Sequence, residues 1–505
     1  MAVRSHIQQL FKAVPADSLA FFRVCFGFVL VWEVLRYFQY HWIDNYYIQP
    51  EFYFKYFGFE WVQPWADESM YLHFAALGVV AACVAMGLFY RFAALLLVPL
   101  FAYIFLLDQT RYLNHFYLVI LLSMLMVLLP AHRDWSFDSA GKPLAERTVP
   151  NWAVWLLRAQ LGLVYFYAGV AKLNADWLGG EPVRMWMAER THFPYVGSWI
   201  DSEAMVYIMS YGGLWLDLFA FPLLLWKRTR LPMFLLCVFF HSSNKFLFNI
   251  GIFPYLMLAG TTIFFAPDWP RKLVDWALAK DLRRQVEGDK LNGPLASMEL
   301  QTSAAQTPAP QDLQENTGPE LPIKGAPTPS GAVLLGFIAL WFALQILIPL
   351  RHFTYPGLVH WTEEGHRFAW HMKLRSKGGR ATFRVVDPVS GRAWKVDPNS
   401  YLEPKQARKM ATRPDMLLQF VHYLEEQWRQ DYELADVEIY ADCKCSLNGR
   451  RRVPLIDPER DLSKEARNLK HADWILPLNE PLRPPLDTTN LKRLEPASGS
   501  ELPDQ

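Results

Sequence analysis

Apolar residues are concentrated in separate runs along the first half of the chain, and one further run follows a polar interval. A helix needs roughly 20 mostly apolar residues to cross a bilayer. Runs such as 92–107 and 116–129 have no polar stripe, which favours a membrane bundle over the alternative of buried helices in a large soluble protein. We predict a polytopic α-helical membrane bundle of about nine spans, at 18–38, 71–90, 92–107, 114–131, 152–172, 203–226, 231–248, 251–267 and 331–350.

The distribution of basic residues predicts how these spans are oriented. If the N-terminus is cytoplasmic and the spans alternate, the cytoplasmic connections before the last span carry sixteen Lys and Arg residues. The opposite side carries four, and cytoplasmic connections are the ones enriched in Lys and Arg. Nine spans then place the C-terminus outside the cytoplasm. The first apolar run has no small-residue cleavage site, so we interpret it as a retained span.

The chain after the eighth run changes in composition. We assign 1–285 to spans 1–8, 286–330 to a disordered cytoplasmic linker poor in aromatic residues, and 331–350 to the last span. Residues 351–480 predict a small extracytoplasmic α+β domain, and 481–505 a polar tail. Within that domain we predict a hairpin of Phe383–Asp387 and Ala393–Asp397, a helix over Arg413–Arg429 and a strand at Val437–Ala441.

The composition excludes several classes of protein. The 505 residues are 52% hydrophobic and carry a formal net charge of +1, so neither a disordered chain nor a basic nucleic-acid binder is indicated. Five cysteines do not make a disulfide scaffold. Cys443 and Cys445 form a lone Cys-x-Cys, a weak indication of metal or redox chemistry, and we predict no metal site. No N-glycosylation motif is present, which favours a bacterial inner membrane; in a eukaryote we expect the endoplasmic reticulum membrane.

Ionisable residues within the spans are candidates for function because they are costly at bilayer depth. In the predicted orientation, Asn114, His115, Lys172 and His241 lie in the outward half of the bundle. A lysine with small apolar neighbours is poorly solvated, which favours the neutral amine that a general base needs. Such a lysine at a helix end can equally be a snorkelling anchor. His115 can be an interfacial residue, and Arg158 can be a structural ion-pair partner.

Several stretches resemble a known family. Residues 165–177, Tyr-Phe-Tyr-Ala-Gly-Val-Ala-Lys-Leu-Asn-Ala-Asp-Trp, and residues 241–259, which begin His-Ser-Ser-Asn-Lys, resemble signatures of the vitamin K-dependent γ-glutamyl carboxylases. The Asn-His pair at 114–115, Pro-Asp-Trp-Pro-Arg-Lys-Leu at 267–273 and Trp-Thr-Glu-Glu-Gly-His-Arg-Phe-Ala-Trp at 361–370 are similar to the same family. The wider group is the horizontally transferred transmembrane domain family, and the resemblance covers about residues 15–470.

The resemblance implies a reaction and its participants. Enzymes of this family oxygenate reduced vitamin K to its epoxide, remove a γ-proton from a peptide glutamate and add carbon dioxide to the carbanion. The family's base toward the hydroquinone falls on Lys172, and its Asn-His pair falls on Asn114 and His115. The expected cofactor is reduced vitamin K, an isoprenoid quinol, with O2 and CO2 as co-substrates and an extracytoplasmic glutamate peptide as acceptor. We expect six further residues to line the quinol pocket: Tyr167, His241, Asn244, Asp217, Arg111 and Trp370.

The sequence also departs from the animal enzymes of the family. The chain is shorter, and Ala171 stands where those enzymes have a second lysine. Two alternatives to coupled carboxylation therefore stay open. One is epoxidation without carboxylation, and the other is a non-catalytic quinone- or lipid-binding membrane protein. A transporter is a weaker hypothesis because no internal repeat is visible.

Overall fold

The computed structural model describes residues 8–192, 197–248, 250–292 and 329–482. The chain divides into two compact units. The first comprises 1–171, 212–351 and 367–372, and the second comprises 172–211, 352–366 and 373–505. Most of the predicted linker and nearly all of the predicted tail lie outside the described residues.

Apolar helices occupy all nine segments predicted from the sequence. One polar helix, α9, begins before the predicted linker and extends into it as far as Asn292. In chain order the helices are α1 (Asp17–Gln39), α2 (Ser69–Met86), α3 (Tyr90–Leu107), α4 (Asn114–Leu128), α5 (Asn151–Val170), α6 (Glu203–Leu225), α7 (Lys227–Phe248), α8 (Phe253–Thr261), α9 (Trp269–Asn292) and α10 (Pro329–Leu350).

Six of these helices are long and apolar enough to cross a membrane, among the residues that the structure describes: α1, α2, α5, α6, α7 and α10. The apolar stretches in α3, α4 and α8 are shorter. The prediction of a multi-span helical protein is therefore confirmed, and the count of nine spans stays a prediction.

Local backbone chemistry sets several helix ends. Helix α2 ends at Met86, before the predicted limit of 90, because Gly87 adopts a left-handed conformation with φ of 65°. Helix α8 ends at Thr261 and passes into a 3-10 turn, Thr262–Phe264. Before α1, the short strand β1 (Ala13–Pro15) pairs antiparallel with β2 (Thr148–Pro150), which precedes α5.

Close packing and polar contacts join the helices of the first unit. A Cβ added at Gly27 on α1 would lie 2.6 Å from the backbone nitrogen of Ala85 on α2, so the two helices meet at a glycine. Helix α5 contacts α10 through buried polar side chains. Gln160 accepts from Trp341 Nε1 at 2.8 Å and donates to Gln345 at 3.3 Å. These contacts replace the water that both amides lose in an apolar environment.

The second unit contains a four-stranded antiparallel sheet in the order β4–β3–β5–β6. Its members are β3 (Lys377–Val386), β4 (Ala393–Val396), β5 (Glu438–Leu447) and β6 (Val453–Pro454). The helices α11 (Pro404–Met410) and α12 (Pro414–Asp431) follow β4 in the chain. The predicted hairpin is confirmed, with Phe383 opposite Val396. The ring of Phe383 also lies 5.0 Å from that of Phe420 on α12, which joins helix and sheet in one core.

Candidate functional site

Asn114 is held by hydrogen bonds at both ends of its side-chain amide. The backbone at Leu113 is extended, so α4 begins at Asn114. The hydroxyl of Tyr112 donates to Asn114 Oδ1 at 2.8 Å, and Asn114 Nδ2 donates to the carbonyl of His371 at 3.1 Å. The same Tyr112 oxygen accepts from the backbone N–H of Phe368 at 2.7 Å. Asn114 thus ties the first turn of α4 to the segment 367–372.

Trp370 lies in this same segment and packs on α4. Its side chain is 1% exposed, and its ring lies 5.2 Å from that of Tyr117. Phe368 contacts the same tyrosine at 4.8 Å. Trp370 and Phe368 have φ values of 59° and 64°, a backbone conformation that costs free energy for bulky residues unless packing maintains it. The contacts of Trp370 therefore fix this segment beside α4.

His115 is buried among aromatic rings. It is 7% exposed, and its ring lies 5.1 Å from Phe116 and 5.8 Å from Phe253. Nε2 lies 3.7 Å from the position that a Cβ of Gly251 would take. A side chain at position 251 would therefore be in contact with this nitrogen, and the glycine avoids that contact.

His241 lies against the same phenylalanine as His115. The rings of His241 and Phe253 are 5.9 Å apart, so the structure brings two predicted histidines to one aromatic residue. The hydroxyl of Tyr165 lies 2.8 Å from His241 Nε2 and 3.2 Å from Thr261 Oγ1. Thr261 donates its one proton to the carbonyl of Met257, so Tyr165 donates to Thr261 and accepts from His241 Nε2–H. This assignment leaves Nδ1 of His241 unprotonated.

The sequence did not select Tyr165, although it lies two residues before the predicted Tyr167 in one motif. Tyr167 is also buried, but its hydroxyl donates to the carbonyl of Ile346 on α10 at 2.9 Å. Asp217 on α6 is buried and lies close enough to Tyr165 to interact electrostatically. Asn244 is half-buried on α7. The structure thus places Asp217 and His241 near Tyr165, and Tyr167 in contact with another helix.

Arg111 is a buried cation stacked on an aromatic ring. It ends a 3-10 turn, Gln109–Arg111, three residues before Asn114, and is 8% exposed. Its guanidinium carbon lies 3.4 Å from the ring centre of Tyr46. Among the described residues, neither Nε nor Nη1 has a hydrogen-bond partner. The stacking on Tyr46 compensates only part of the lost hydration.

Among the residues that the structure describes, Arg158 has no carboxylate partner for the ion pair that the sequence left open, and it binds backbone carbonyls instead. Its Nε and Nη2 donate to the carbonyls of Ile263 and Phe265, each at 2.9 Å. These carbonyls lie where α8 and its 3-10 turn end, so the guanidinium satisfies acceptors that the helix leaves unpaired. Arg158 therefore caps a helix end inside the first unit.

Lys172 belongs to the second unit and follows the end of α5. It is 5% exposed, and its ammonium nitrogen lies 5.3 Å from the ring centre of Trp177. The carbonyl of Lys172 accepts from the backbone N–H of Asn174 at 2.9 Å. Trp177 is held in turn, because its Nε1 donates to the carbonyl of Ser210 at 2.9 Å. Lys172 is thus a buried lysine beside an anchored aromatic ring.

An ion pair within the second unit fixes the segment that carries Lys172. Asp176 accepts from Nη1 and Nη2 of Arg450, both at 2.7 Å, and from Asn448 Nδ2 at 2.7 Å. Asp176 and Arg450 are 6% and 9% exposed in their side chains. These hydrogen bonds lower the pKa of Asp176 against the opposing effect of burial. Bidentate pairing of this kind fixes orientation as well as charge.

A second set of buried charges lies at the start of β3. Glu363 contacts Arg375 Nη2 at 2.6 Å and Lys377 Nζ at 3.6 Å. Burial lowers the pKa of Lys377 to about 8, although the Glu363 carboxylate acts in the opposite direction. Burial also lowers the pKa of His360 to about 4. This cluster could not be predicted from the sequence because its charged members, Glu363, Arg375 and Lys377, come together only in the folded chain.

The Cys-x-Cys pair lies on β5 with both thiols buried. Cys443 and Cys445 each donate to the carbonyl of Ala411 at 3.1 Å. The hydrogen bond with the neighbouring Cys445 thiol, together with burial, raises the pKa of Cys443. Across the described ranges, no group of three His, Cys, Asp or Glu residues could hold a metal ion.

Two family models match the chain, in sequence order. The HTTM domain matches residues 11–269, which is more than half of the chain and includes the Asn-His pair, Lys172 and His241. This match defines the class: the chain belongs to the HTTM domain family. The lumenal domain of vitamin K-dependent gamma-carboxylase matches residues 330–481. Together the two matches show that the chain belongs to the vitamin K-dependent γ-glutamyl carboxylase family, as the sequence motifs predicted. No solved structure matches the chain significantly.

The matches and the helices together support a multi-pass membrane protein. Six helices are long and apolar enough to span, within the part of the chain that the structure describes. The second model, named for a lumenal domain, begins at the last of them. Family membership implies a vitamin K cofactor.

Proposed function

We propose that this protein carboxylates glutamate residues of a peptide or protein and couples that reaction to oxygenation of vitamin K hydroquinone to its epoxide. The observation that carries the proposal is the burial of the family's motif residues in a chain that both family models match. His115 and Lys172 are 7% and 5% exposed. Buried polar side chains of this kind are typical of a catalytic site that excludes water.

The surroundings of His241 fit an isoprenoid quinol. Tyr165, His241 and Thr261 place polar atoms among apolar helices, and an isoprenoid quinol is soluble in the bilayer that such helices span. Such a site needs a few polar groups in a mostly apolar wall. When bound, reduced vitamin K supplies the electrons that reduce O2 and the driving force for removing the glutamate γ-proton.

The motif residues have distinct roles in this proposal. Lys172 Nζ accepts a proton from the hydroquinone, which is the role of a general base. His115 assists removal of the glutamate γ-proton from its position among the rings of Phe116 and Phe253. Asn114 holds the segment 367–372 through its amide, which positions the neighbouring His115. CO2 is the carboxyl donor.

The protein acts at a membrane in this proposal. The helices contact the bilayer, and the glutamate acceptor approaches from the extracytoplasmic side, where the orientation inferred from Lys and Arg places residues 351–480. We propose a bacterial inner membrane as the location. No nucleic acid takes part.

One assay tests both halves of the reaction. Purified protein in lipid nanodiscs receives reduced vitamin K, O2, labelled bicarbonate and a short glutamate peptide, and both epoxide and fixed label are measured. We expect both products from the wild type and a loss of at least a hundredfold in Lys172→Ala. Lys227→Ala, which replaces an exposed lysine at the start of α7, is the matched control and should retain activity.

The assay also separates the competing functions. Epoxide without fixed label, with every glutamate peptide offered, indicates an epoxidase that is not coupled to carboxylation. Quinone binding without either product, unchanged in Lys172→Ala and His115→Ala, indicates a non-catalytic quinone-binding protein. Either result would contradict the coupled reaction.

A further inference from the structure

The side chains of Arg36 and His115 come together beside Gly251. Arg36 lies in the last turn of α1, and its Nη1 is 3.5 Å from the position that a Cβ of Gly251 would take. His115 Nε2 lies 3.7 Å from the same point, and the two side chains are close enough to interact electrostatically. The two nitrogens are therefore close enough together for one carboxylate to accept a hydrogen bond of roughly 2.8 Å from each.

The position of Arg36 is fixed by its neighbours. Its Nη1 donates to Glu33 Oε2 at 2.6 Å, and its guanidinium carbon lies 5.6 Å and 4.9 Å from the ring centres of Trp32 and Trp42. Aromatic rings within about 6 Å of a cation attract it and restrict its movement. The side chain is 19% exposed, so the guanidinium is largely shielded from water yet accessible at one edge.

The charge around Arg36 favours an anion. Glu33 interacts electrostatically with both Arg36 and Lys245, so one carboxylate faces two cations. Both cations lie near the outer ends of their helices in the predicted orientation, on the side from which a peptide arrives. A further carboxylate beside Arg36 would therefore approach a region where two cations lie near each other.

We propose that Arg36, together with His115, forms the subsite that binds the γ-carboxylate of the acceptor glutamate. The inference rests on the proposed function. When the γ-proton leaves to the base that the quinol oxygenation provides, the C–H electron pair stays on carbon and delocalises onto the carboxylate oxygens. This adds negative charge where Arg36 lies, and a cation there stabilises the transition state more than the bound substrate. The carbon then forms its new bond to CO2.

The test compares Arg36→Gln and Arg36→Lys in the full-length protein in nanodiscs. Epoxide and fixed label are measured together while the concentration of glutamate peptide is varied. We expect Arg36→Gln to raise the KM for the peptide at least tenfold and to lower the ratio of fixed label to epoxide, with the KM for the quinol unchanged. Arg36→Lys should recover part of the loss, because it keeps the charge without the planar fork. Arg91→Gln, at an exposed arginine that starts α3, is the control.

A double variant and a binding measurement keep the test independent of stability and of turnover. Glu33→Gln with Arg36→Gln removes both members of the ion pair and should show the same loss of coupling. Without quinol, the wild type should bind a glutamate peptide more tightly than its glutamine analogue, and Arg36→Gln should abolish that preference. This arm decides the subsite even if the wild type forms no epoxide, which would overturn the proposed function alone.

Three results would overturn the inference. One is an unchanged peptide KM and coupling ratio in Arg36→Gln. Another is an equal loss of epoxide and fixed label, which marks a structural role. The third is a rise in the KM for bicarbonate alone, which assigns the cation to the carboxyl donor.

Discussion

At the scale of single residues, the hydrogen bonds of Tyr165 with His241 and Thr261 predict the effect of removing the tyrosine hydroxyl. Tyr165→Phe removes the acceptor of His241 Nε2–H at a buried position. A buried donor left without a partner costs roughly 1–3 kcal/mol. We expect the free energy of unfolding to fall by about that amount in detergent micelles. Tyr255→Phe, at a side chain 42% exposed, is the control, and equal stabilities for the two variants would contradict the proposed hydrogen-bond chain.

Lys377 predicts a pH dependence of stability. Its pKa is about 8 in the folded protein and near 10.5 when unfolded, so between these values the unfolded chain binds more protons. Stability therefore rises with pH across this window, by on the order of 3 kcal/mol for this group. Lys377→Met should make the free energy of unfolding rise less steeply with pH. Unfolding of both proteins is measured from pH 7.5 to 10.5, and identical slopes of this free energy against pH would contradict the role of Lys377.

Some residue-scale contacts could not be predicted from the sequence. Tyr165 and Tyr167 have the same chemistry and lie two positions apart on α5, so they point to different sides of the helix. Only the positions of α7, α8 and α10 decide which hydroxyl meets His241 and which meets Ile346. Arg158 likewise binds backbone carbonyls, which no pattern of charges along the chain reveals.

At the scale of elements, the apolar helices were predictable because hydrophobic content is a local property of the chain. Their exact ends depend on single residues, as the left-handed Gly87 demonstrates at the end of α2. The β3–β4 hairpin was predictable from two apolar runs around a Pro-Val-Ser-Gly turn. The pair of Asp176 with Arg450 was not, since 274 positions separate its members.

Packing between α1 and α2 predicts contrasting effects of two glycine substitutions. Gly27→Ala brings a Cβ to 2.6 Å from the backbone of Ala85, so α1 or α2 must shift. Overpacking of this kind costs typically about 1–3 kcal/mol. Gly336→Ala on α10 meets nothing within 4 Å and should leave stability unchanged or slightly higher. Unfolding of both variants under one set of conditions checks this, and equal destabilisation would refute the close approach of α1 and α2.

At the scale of the whole molecule, the arrangement of charges predicts the topology. Alkaline phosphatase is active only outside the cytoplasm, so fusions report the side of each connection. We expect activity after residue 482 and none after residue 142, because the connection 132–150 carries three of the basic residues assigned to the cytoplasm. The reverse pattern would invert the orientation and with it the side from which the peptide arrives.

The polar contacts between α5 and α10 have a consequence for the continuity of the polypeptide. Gln160 forms hydrogen bonds with Trp341 and Gln345, and Tyr167 forms one with Ile346. Side-chain contacts, and not only the covalent chain, therefore hold α10 against α5. We expect fragments 1–292 and 329–505, produced together, to assemble and to copurify. Gln160→Leu should weaken that assembly, whereas failure of the wild-type pair to copurify would mean that the contacts do not suffice. If the two fragments do copurify, the family's two domains are separable partners whose specificity for each other resides within the bilayer.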